Sequence, residues 1–281
     1  MQWWHAILLG IVEGLSEFLP ISSTGHLTVV EKLLGYTIDD AGITAFTAII
    51  QVGAILAAVL YFRRDIVRLA VAWFKGLFSK EARSDVDYRL GWGVIVGSIP
   101  IAIVGLAFQK LITGGLRNLW VVAAALILWS VVLFLADRAP ARRATLRGEE
   151  SMTIVDALIL GLWQCVALIP GVSRSGATIS GGLFRGIDRV TATRWSFFLG
   201  IPALIAAGGL ETVKASKSIS ATVGWVPTLI GTGVAFIVAY ASIAWLLRFV
   251  AHNRFTAFVI YRVVAGLAVL GLLVTGVVTA R

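Results

Sequence analysis

The sequence predicts an all-α polytopic membrane protein built as an inverted-topology repeat, each half a re-entrant helix pair followed by three transmembrane helices. Three observations carry this reading. Mean hydropathy is +0.91, and 14% of the 281 residues are charged, against about a quarter in a soluble domain. The apolar residues come in long runs, whereas a membrane barrel would show short alternating segments. A stretch near the N-terminus also returns in altered form after the midpoint.

Taken in order, residues 3–19 and 22–34 form the first pair, broken at Pro20. Each arm is short for a span and carries polar groups, which the membrane interior tolerates only where they face protein or a wet cavity. Residues 42–62 are a span with Gln51 at its middle. Residues 65–78 read as an amphipathic interfacial helix anchored by Trp73 and Phe74. A polar loop runs to Arg89, and residues 90–108 and 118–136 are spans. A charged linker, 137–152, divides a first repeat, 1–136, from a second, 153–281, within a single integral membrane domain 1–281. The second repeat holds a pair over 153–169 and 173–185, then spans over 190–210, 224–249 and 256–279.

The repeat is visible in register. Laying Ala6-Ile-Leu-Leu-Gly10 on Ala157-Leu-Ile-Leu-Gly161 places Glu13 on Gln164, Ser22 on Ser173, Ser23 on Arg174, Thr24 on Ser175 and Gly25 on Gly176. Pro20 and Pro170 fall one position apart. Three spans per half is odd, so the second half enters from the opposite side.

Basic residues orient the chain. Arg63 to Arg89, Arg138, Arg142, Arg143, Arg147, Arg185, Arg189, Arg194, Arg248, Arg254 and Arg262 gather on one side. Lys32, Lys110, Arg117, Lys214, Lys217 and Arg281 fall on the other. The heavily basic side is expected in the cytoplasm, with both termini outside. The same asymmetry accounts for the net charge of +9 without nucleic acid, because basic loops face an anionic leaflet. The single Cys165 excludes an internal disulfide and a cysteine-based zinc site. Met1-Gln2-Trp3-Trp4 has no basic run of the kind that opens a cleaved signal peptide.

The chemistry concentrates at the two breaks. Glu13 and Glu17, four residues apart, share one helix face. Ser22, Ser23 and Thr24 can each cap the next helix, and His26 lies one turn after Ser23. Ionisable groups at membrane depth are costly and point to function. Glu13 and Glu17 read as an acid–base pair or a metal site, or as a helix-locking ion pair with Arg174. Pro170-Gly-Val-Ser-Arg-Ser-Gly-Ala-Thr178 opens a helix with Gly171, Ser173, Arg174, Ser175, Gly176 and Thr178. Helix N-termini bind phosphate through free N–H groups, and arginine adds a planar fork. With Ser22, Ser23, Thr24 and Gly25 at the first break, two such ends aimed at one point suit a pyrophosphate. Ser16, Ser130, Ser242 and Cys165 are read as packing residues, and Gln51, Gln164 and Thr178 stay open. Asp156 is read as a first-turn helix acid and Tyr261-Arg262 as an interfacial anchor pair.

Glu13-Gly-Leu-Ser-Glu-Phe-Leu-Pro-Ile-Ser-Ser-Thr-Gly-His26 and Pro170 to Thr178 resemble the two signatures of the undecaprenyl-pyrophosphate phosphatases of the bacitracin-resistance (BacA) type. The likeness runs along the whole chain and includes Gln51-Val-Gly-Ala-Ile55 and Tyr261-Arg262. The resemblance implies a bacterial cytoplasmic-membrane enzyme that removes one phosphate from a C55 isoprenoid diphosphate, recycling the lipid carrier of cell-wall synthesis, with its site facing outward. It implies Glu13 and Glu17 in catalysis and in binding a divalent cation, Mg2+ or Ca2+. It also implies Ser23 as nucleophile or phosphate ligand, His26 as general acid–base and Arg174 as the phosphate clamp. The isoprenoid tail is expected in a groove between spans. Ser23 attacks phosphorus with His26 or a glutamate taking its proton, or a held water attacks instead. A transporter of a polyprenyl phosphate is the alternative function. The sequence leaves room for a homodimer without specifying one.

Overall fold

The computed structural model describes residues 1–37, 40–139 and 145–280. Arg142, Arg143 and Arg281, sorted by side above, lie outside the described residues, as do the side chains of Lys214 and Lys217. The fold is helical: α1 (Trp3–Ser16), α2 (Ser23–Leu33), α3 (Ala41–Tyr61), α4 (Arg63–Phe78), α5 (Val86–Ala107), α6 (Leu119–Arg138), α7 (Ile154–Val166), α8 (Arg174–Phe184), α9 (Arg189–Ala221), α10 (Trp225–His252) and α11 (Thr256–Val274). Among the described residues five of these, α3, α5, α6, α10 and α11, are long and apolar enough to cross a bilayer, which makes this a multi-pass membrane protein.

Helices α1 and α7 have 14 and 13 residues. At about 1.5 Å per residue each is close to 20 Å long, short of a hydrocarbon core of about 30 Å. Both stop three residues short of the expected ends at 19 and 169, and turns carry the chain from there to the breaks. Among the described residues, only Ser22 (φ 79°) and Ser173 (φ 80°) are non-glycine residues with positive φ. Each caps the helix that follows, its Oγ accepting the N–H of Gly25 at 3.4 Å or Gly176 at 3.2 Å. Backbone held in such a region costs on the order of 1–3 kcal/mol and persists only where its surroundings enforce it.

The two halves interlock. Helix α1 packs on α10, α7 packs on α5, α3 packs on α9 and α10, and α6 packs on α11. Small residues permit the closest crossings. A Cβ on Gly10 would stand 2.5 Å from the Gly231 carbonyl oxygen, and one on Gly161 would stand 2.0 Å from that of Gly97. Backbones therefore touch at both crossings. This fixes the height at which each short helix stops, and so the level of each break.

Three sequence readings need correction. Trp73 does not face outward as an anchor: it stacks edge-on against Trp92 with ring centroids 5.6 Å apart. The outward stripe of α4 is Val67, Val71, Phe74 and Phe78, because helical spacing turns Trp73 away from it. The span expected over 190–210 belongs to a single helix of 33 residues that continues to Ala221, with Pro202 inside it. Arg262 is not an interfacial residue, since it is fully buried. Asp156 is the first-turn acid expected. It forms a reciprocal capping box with Thr153 and takes hydrogen bonds from Arg147 and Arg185.

Candidate active site

Glu17 sits at the C-terminal end of α1, its backbone N–H still bonded to the Glu13 carbonyl at 2.9 Å. Its carboxylate is buried and is the hub of the site. The Ser23 hydroxyl donates to Oε2 at 2.6 Å, and Arg174 donates to Oε1 through Nη2 at 3.3 Å. Gln51, reaching in from α3, lies 3.5 Å from Oε2. The two breaks thus meet through side chains: α1 brings the carboxylate, α2 the hydroxyl and α8 the guanidinium.

Arg174 is the first residue of α8, and it lies along α9. Its Nη1 donates to the Ser196 carbonyl at 2.9 Å, while Nε is buried with no partner. Gly200 makes the room: a Cβ there would fall 1.4 Å from Nη1. Gly200→Ala is therefore expected to displace the guanidinium while leaving the fold intact, because the obstructed group is the end of a flexible side chain. A displacement of about 1 Å at a reacting centre costs on the order of 100-fold in rate. The check is kcat for this variant beside an unchanged melting temperature.

These groups line one end of a cavity of about 840 Å³. Glu17, Ser22, Ser23, Thr24, Gln51, Ser173 and Arg174 form its polar end. Val94, Ile95, Ile99, Ala102 and Leu106 of α5 and Pro202 and Leu204 of α9 form apolar walls. The cavity thus brings a polar cluster with one carboxylate and one guanidinium together with extensive apolar walls.

Other predicted site residues are placed elsewhere. Glu13 is buried one turn before Glu17 and does not line the cavity, and its Oε1 has no partner. Gly25, Gly171, Ser175, Gly176 and Thr178 do not line it either; they build the breaks. Ser175 donates to the Leu19 carbonyl at 3.0 Å, joining one break to the other, and Thr178 donates to the carbonyl one turn back, that of Arg174. The Gly25 and Gly176 amides are used by the serine caps. His26 is turned away from Ser23. Its Nδ1 lies 2.8 Å from the Ser22 carbonyl oxygen and its Nε2 2.7 Å from the Tyr261 hydroxyl.

Four residues gain importance over the sequence reading. Gln51 faces the site, and a lone amide in the middle of an apolar span was its signal. Tyr261 and Arg262 approach the breaks from α11. Glu31, buried on α2 with Thr47 donating to it at 2.7 Å, had no motif to mark it.

The geometry can now be set beside known proteins. A family model described as Bacitracin resistance protein BacA matches residues 6–268. The chain belongs to the BacA family. Similar curated proteins include "Undecaprenyl-diphosphatase" of Cutibacterium acnes, 61% identical over the full length of both chains. "Undecaprenyl-diphosphatase 3" of Frankia casuarinae is 56% identical, again over both full lengths. "Undecaprenyl-diphosphatase" of Acidothermus cellulolyticus is 52% identical with the same coverage. In this BacA chain, both motifs that predicted the family flank one cavity.

Proposed function

We propose that this chain is an integral membrane undecaprenyl-diphosphatase, hydrolysing the C55 diphosphate to the monophosphate and inorganic phosphate. It thereby recycles the cell-wall lipid carrier and confers bacitracin resistance. The observation that carries the reading is the Ser23–Glu17–Arg174 constellation at the polar end of an apolar groove.

The diphosphate head occupies the polar end and the isoprenoid tail lies along α5 and α9. Arg174 meets the phosphate oxygens. Its free Nε is a buried donor awaiting an acceptor, and its 3.3 Å bond to Glu17 is long for a charge-assisted one, so an incoming phosphate can draw it away. Ser23 attacks the terminal phosphorus while Glu17 Oε2 takes its proton. The bond from phosphorus to the bridging oxygen breaks, and the lipid monophosphate leaves. Glu17 gives its proton to the departing monophosphate. It then takes a proton from water, which attacks the phosphoserine, and returns that proton to Ser23 Oγ as the phosphorus–oxygen bond breaks and phosphate leaves. Phosphoryl transfer depends mainly on positioning and charge stabilisation, which Arg174 and the cavity wall supply. A carrier would need the binding groups but not a hydroxyl bonded to a buried carboxylate, so hydrolysis is favoured over transport.

Among the described residues, no three His, Cys, Asp or Glu side chains converge as ligands for a metal. Two carboxylates one turn apart, one with a partnerless Oε1, fit Mg2+, which is commonly held by one or two carboxylates with substrate phosphates. They fit Ca2+, which takes six to eight oxygens, less well. Of the two carboxylates only Glu17 lines the cavity, so Glu17 would hold the cation there, and a bound cation would supply further neutralisation of the phosphates.

The reading also places the protein in the cytoplasmic membrane, with α1–α2 and α7–α8 as re-entrant pairs of an inverted repeat, the cavity open to the outer side and both termini outside. The reciprocal packing of α1 on α10 and α7 on α5, the matched Ser22 and Ser173 and the basic side of the chain support it. The test is phosphate release from C55 diphosphate by purified protein in detergent, where there are no two sides to transport between. Release is expected, with EDTA reducing it. Glu17→Gln is expected to lower kcat about 10²- to 10⁴-fold, the range for a lost general base. A folded protein that releases nothing would overturn the proposal.

A further inference from the structure

We infer that Tyr261 and Arg262, adjacent on α11, are positioning residues that hold the two breaks of the active site in register. The inference rests on the phosphatase reading above and extends it to a helix that contributes nothing to the cavity wall.

Arg262 is fully buried, and among the described residues no carboxylate pairs with it. Burying a guanidinium costs several kcal/mol unless its donors are satisfied, so a chain that keeps one inside an apolar helix gains something from where its donors go. Nε is buried without a partner, and the two Nη groups go to three backbone carbonyls, two of them at the breaks. Nη1 donates to the Pro20 carbonyl at 3.1 Å, and Nη2 donates to Gly171 at 2.9 Å and to Ala125 at 3.3 Å. The Ala125 bond ties α6 into the same group. Pro20 belongs to the first break and Gly171 to the second. Carbonyls at broken helix ends have lost their intrahelical donors, and a planar fork can serve several at fixed separation. One rigid group therefore sets the distance between the loop carrying Glu17 toward Ser23 and the loop carrying Arg174.

Tyr261 acts on the nucleophile side through His26. The two rings stack, centroids 5.5 Å apart and 12° from parallel. The Ser22 carbonyl can only accept, so His26 Nδ1–H donates to it, and the neutral ring's Nε2 accepts from the Tyr261 hydroxyl. Ser22 is the positive-φ residue immediately before Ser23. The chain Tyr261–His26–Ser22 thus pins the strained pivot that aims the Ser23 hydroxyl at Glu17. In this arrangement His26 holds backbone and does not carry the Ser23 proton.

The experiment measures phosphate release from C55 diphosphate by full-length protein in detergent, with melting temperature read in parallel. Wild type and Arg174→Ala come first and test the site reading alone: no release by folded wild type overturns that reading and this one with it. Tyr261→Phe keeps the stack and loses the O–H. It is expected to lower kcat about tenfold, the scale of one hydrogen bond, with KM within about twofold and the melting temperature unchanged. His26→Asn keeps an N–H where Nδ1 stands, and is expected to be at least about tenfold more active than His26→Ala. Adding Tyr261→Phe to His26→Asn should change nothing further, since the shorter amide does not reach α11. Arg262→Lys, whose ammonium lacks the planar fork, is expected to lower kcat about a hundredfold. Wild-type kcat in Tyr261→Phe, or His26→Asn as inactive as His26→Ala, overturns the Tyr261 arm, and wild-type kcat in Arg262→Lys overturns the guanidinium arm. If Arg262→Lys does not fold, Arg262 is a folding residue and its positioning role is overturned, while Tyr261→Phe and His26→Asn still decide the other arm.

Discussion

Arg174→Ala is expected to abolish phosphate release, lowering kcat about 10³- to 10⁵-fold, the range for an arginine that neutralises a transferring phosphoryl group. Among the described residues that line the cavity Arg174 is the one cation, and its Nε has no protein partner. Removing it leaves the buried Glu17 without its ion pair, so part of the effect could fall on stability. Arg174→Lys separates the two. It keeps the charge beside Glu17 but offers no planar fork, so the melting temperature should return toward wild type while most of the activity stays lost. Full activity in Arg174→Lys would show that charge alone suffices and that the fork geometry does not matter.

Ser23→Ala is expected to reduce kcat at least about 10³-fold with little change in KM, because it removes the nucleophile and leaves the anion site standing. Ser23 is half-buried, and its 2.6 Å bond aims the hydroxyl at a carboxylate oxygen of Glu17. The other hydroxyls at the cavity are poorer candidates. Ser22 Oγ accepts from Gly25 and Ser173 Oγ from Gly176, each committed to a cap. The contrast makes a control available: Thr24→Ala should cost far less than Ser23→Ala, since Thr24 lines the cavity but has no bond to Glu17.

Much of this architecture was legible in the chain. Pro20 and Pro170, each followed by capping serines, marked the two breaks, though the short helices end four residues before them, and the apolar runs marked the long helices. The meeting of Glu17, Ser23 and Arg174 was foreshadowed by ionisable groups in an apolar setting. Which polar residues face the cavity was not legible, because helix capping and phosphate binding ask for the same residue types. Ser175, Gly176 and Thr178 look like ligand residues and instead satisfy backbone. His26 follows Ser23 by three residues, a spacing that suggests one face. Yet the Ser23 hydroxyl bonds Glu17 of α1 and the imidazole bonds the Ser22 carbonyl and Tyr261 of α11. Arg262 carries a signal of its own in the sequence. It stands several residues inside an apolar helix, where a charge is expensive, but its neighbour Tyr261 suggested an interface anchor. Only the tertiary arrangement brings the carbonyls of Pro20 and Gly171 to its fork. Trp73 and Phe74 are adjacent and chemically alike, and the spacing of Val67, Val71, Phe74 and Phe78 separates the two rings by face without saying which face packs on the protein.

The central claim is that Glu17 activates Ser23 against the terminal phosphorus of a lipid diphosphate held by Arg174. The most direct test is a single-turnover reaction of C55 diphosphate labelled at its terminal phosphorus, quenched in acid, with label counted both as free phosphate and on the protein. The account predicts transient label on Ser23 that decays into free phosphate, and neither signal in Ser23→Ala. Free phosphate at an undiminished rate from Ser23→Ala would contradict it and assign the attack to water.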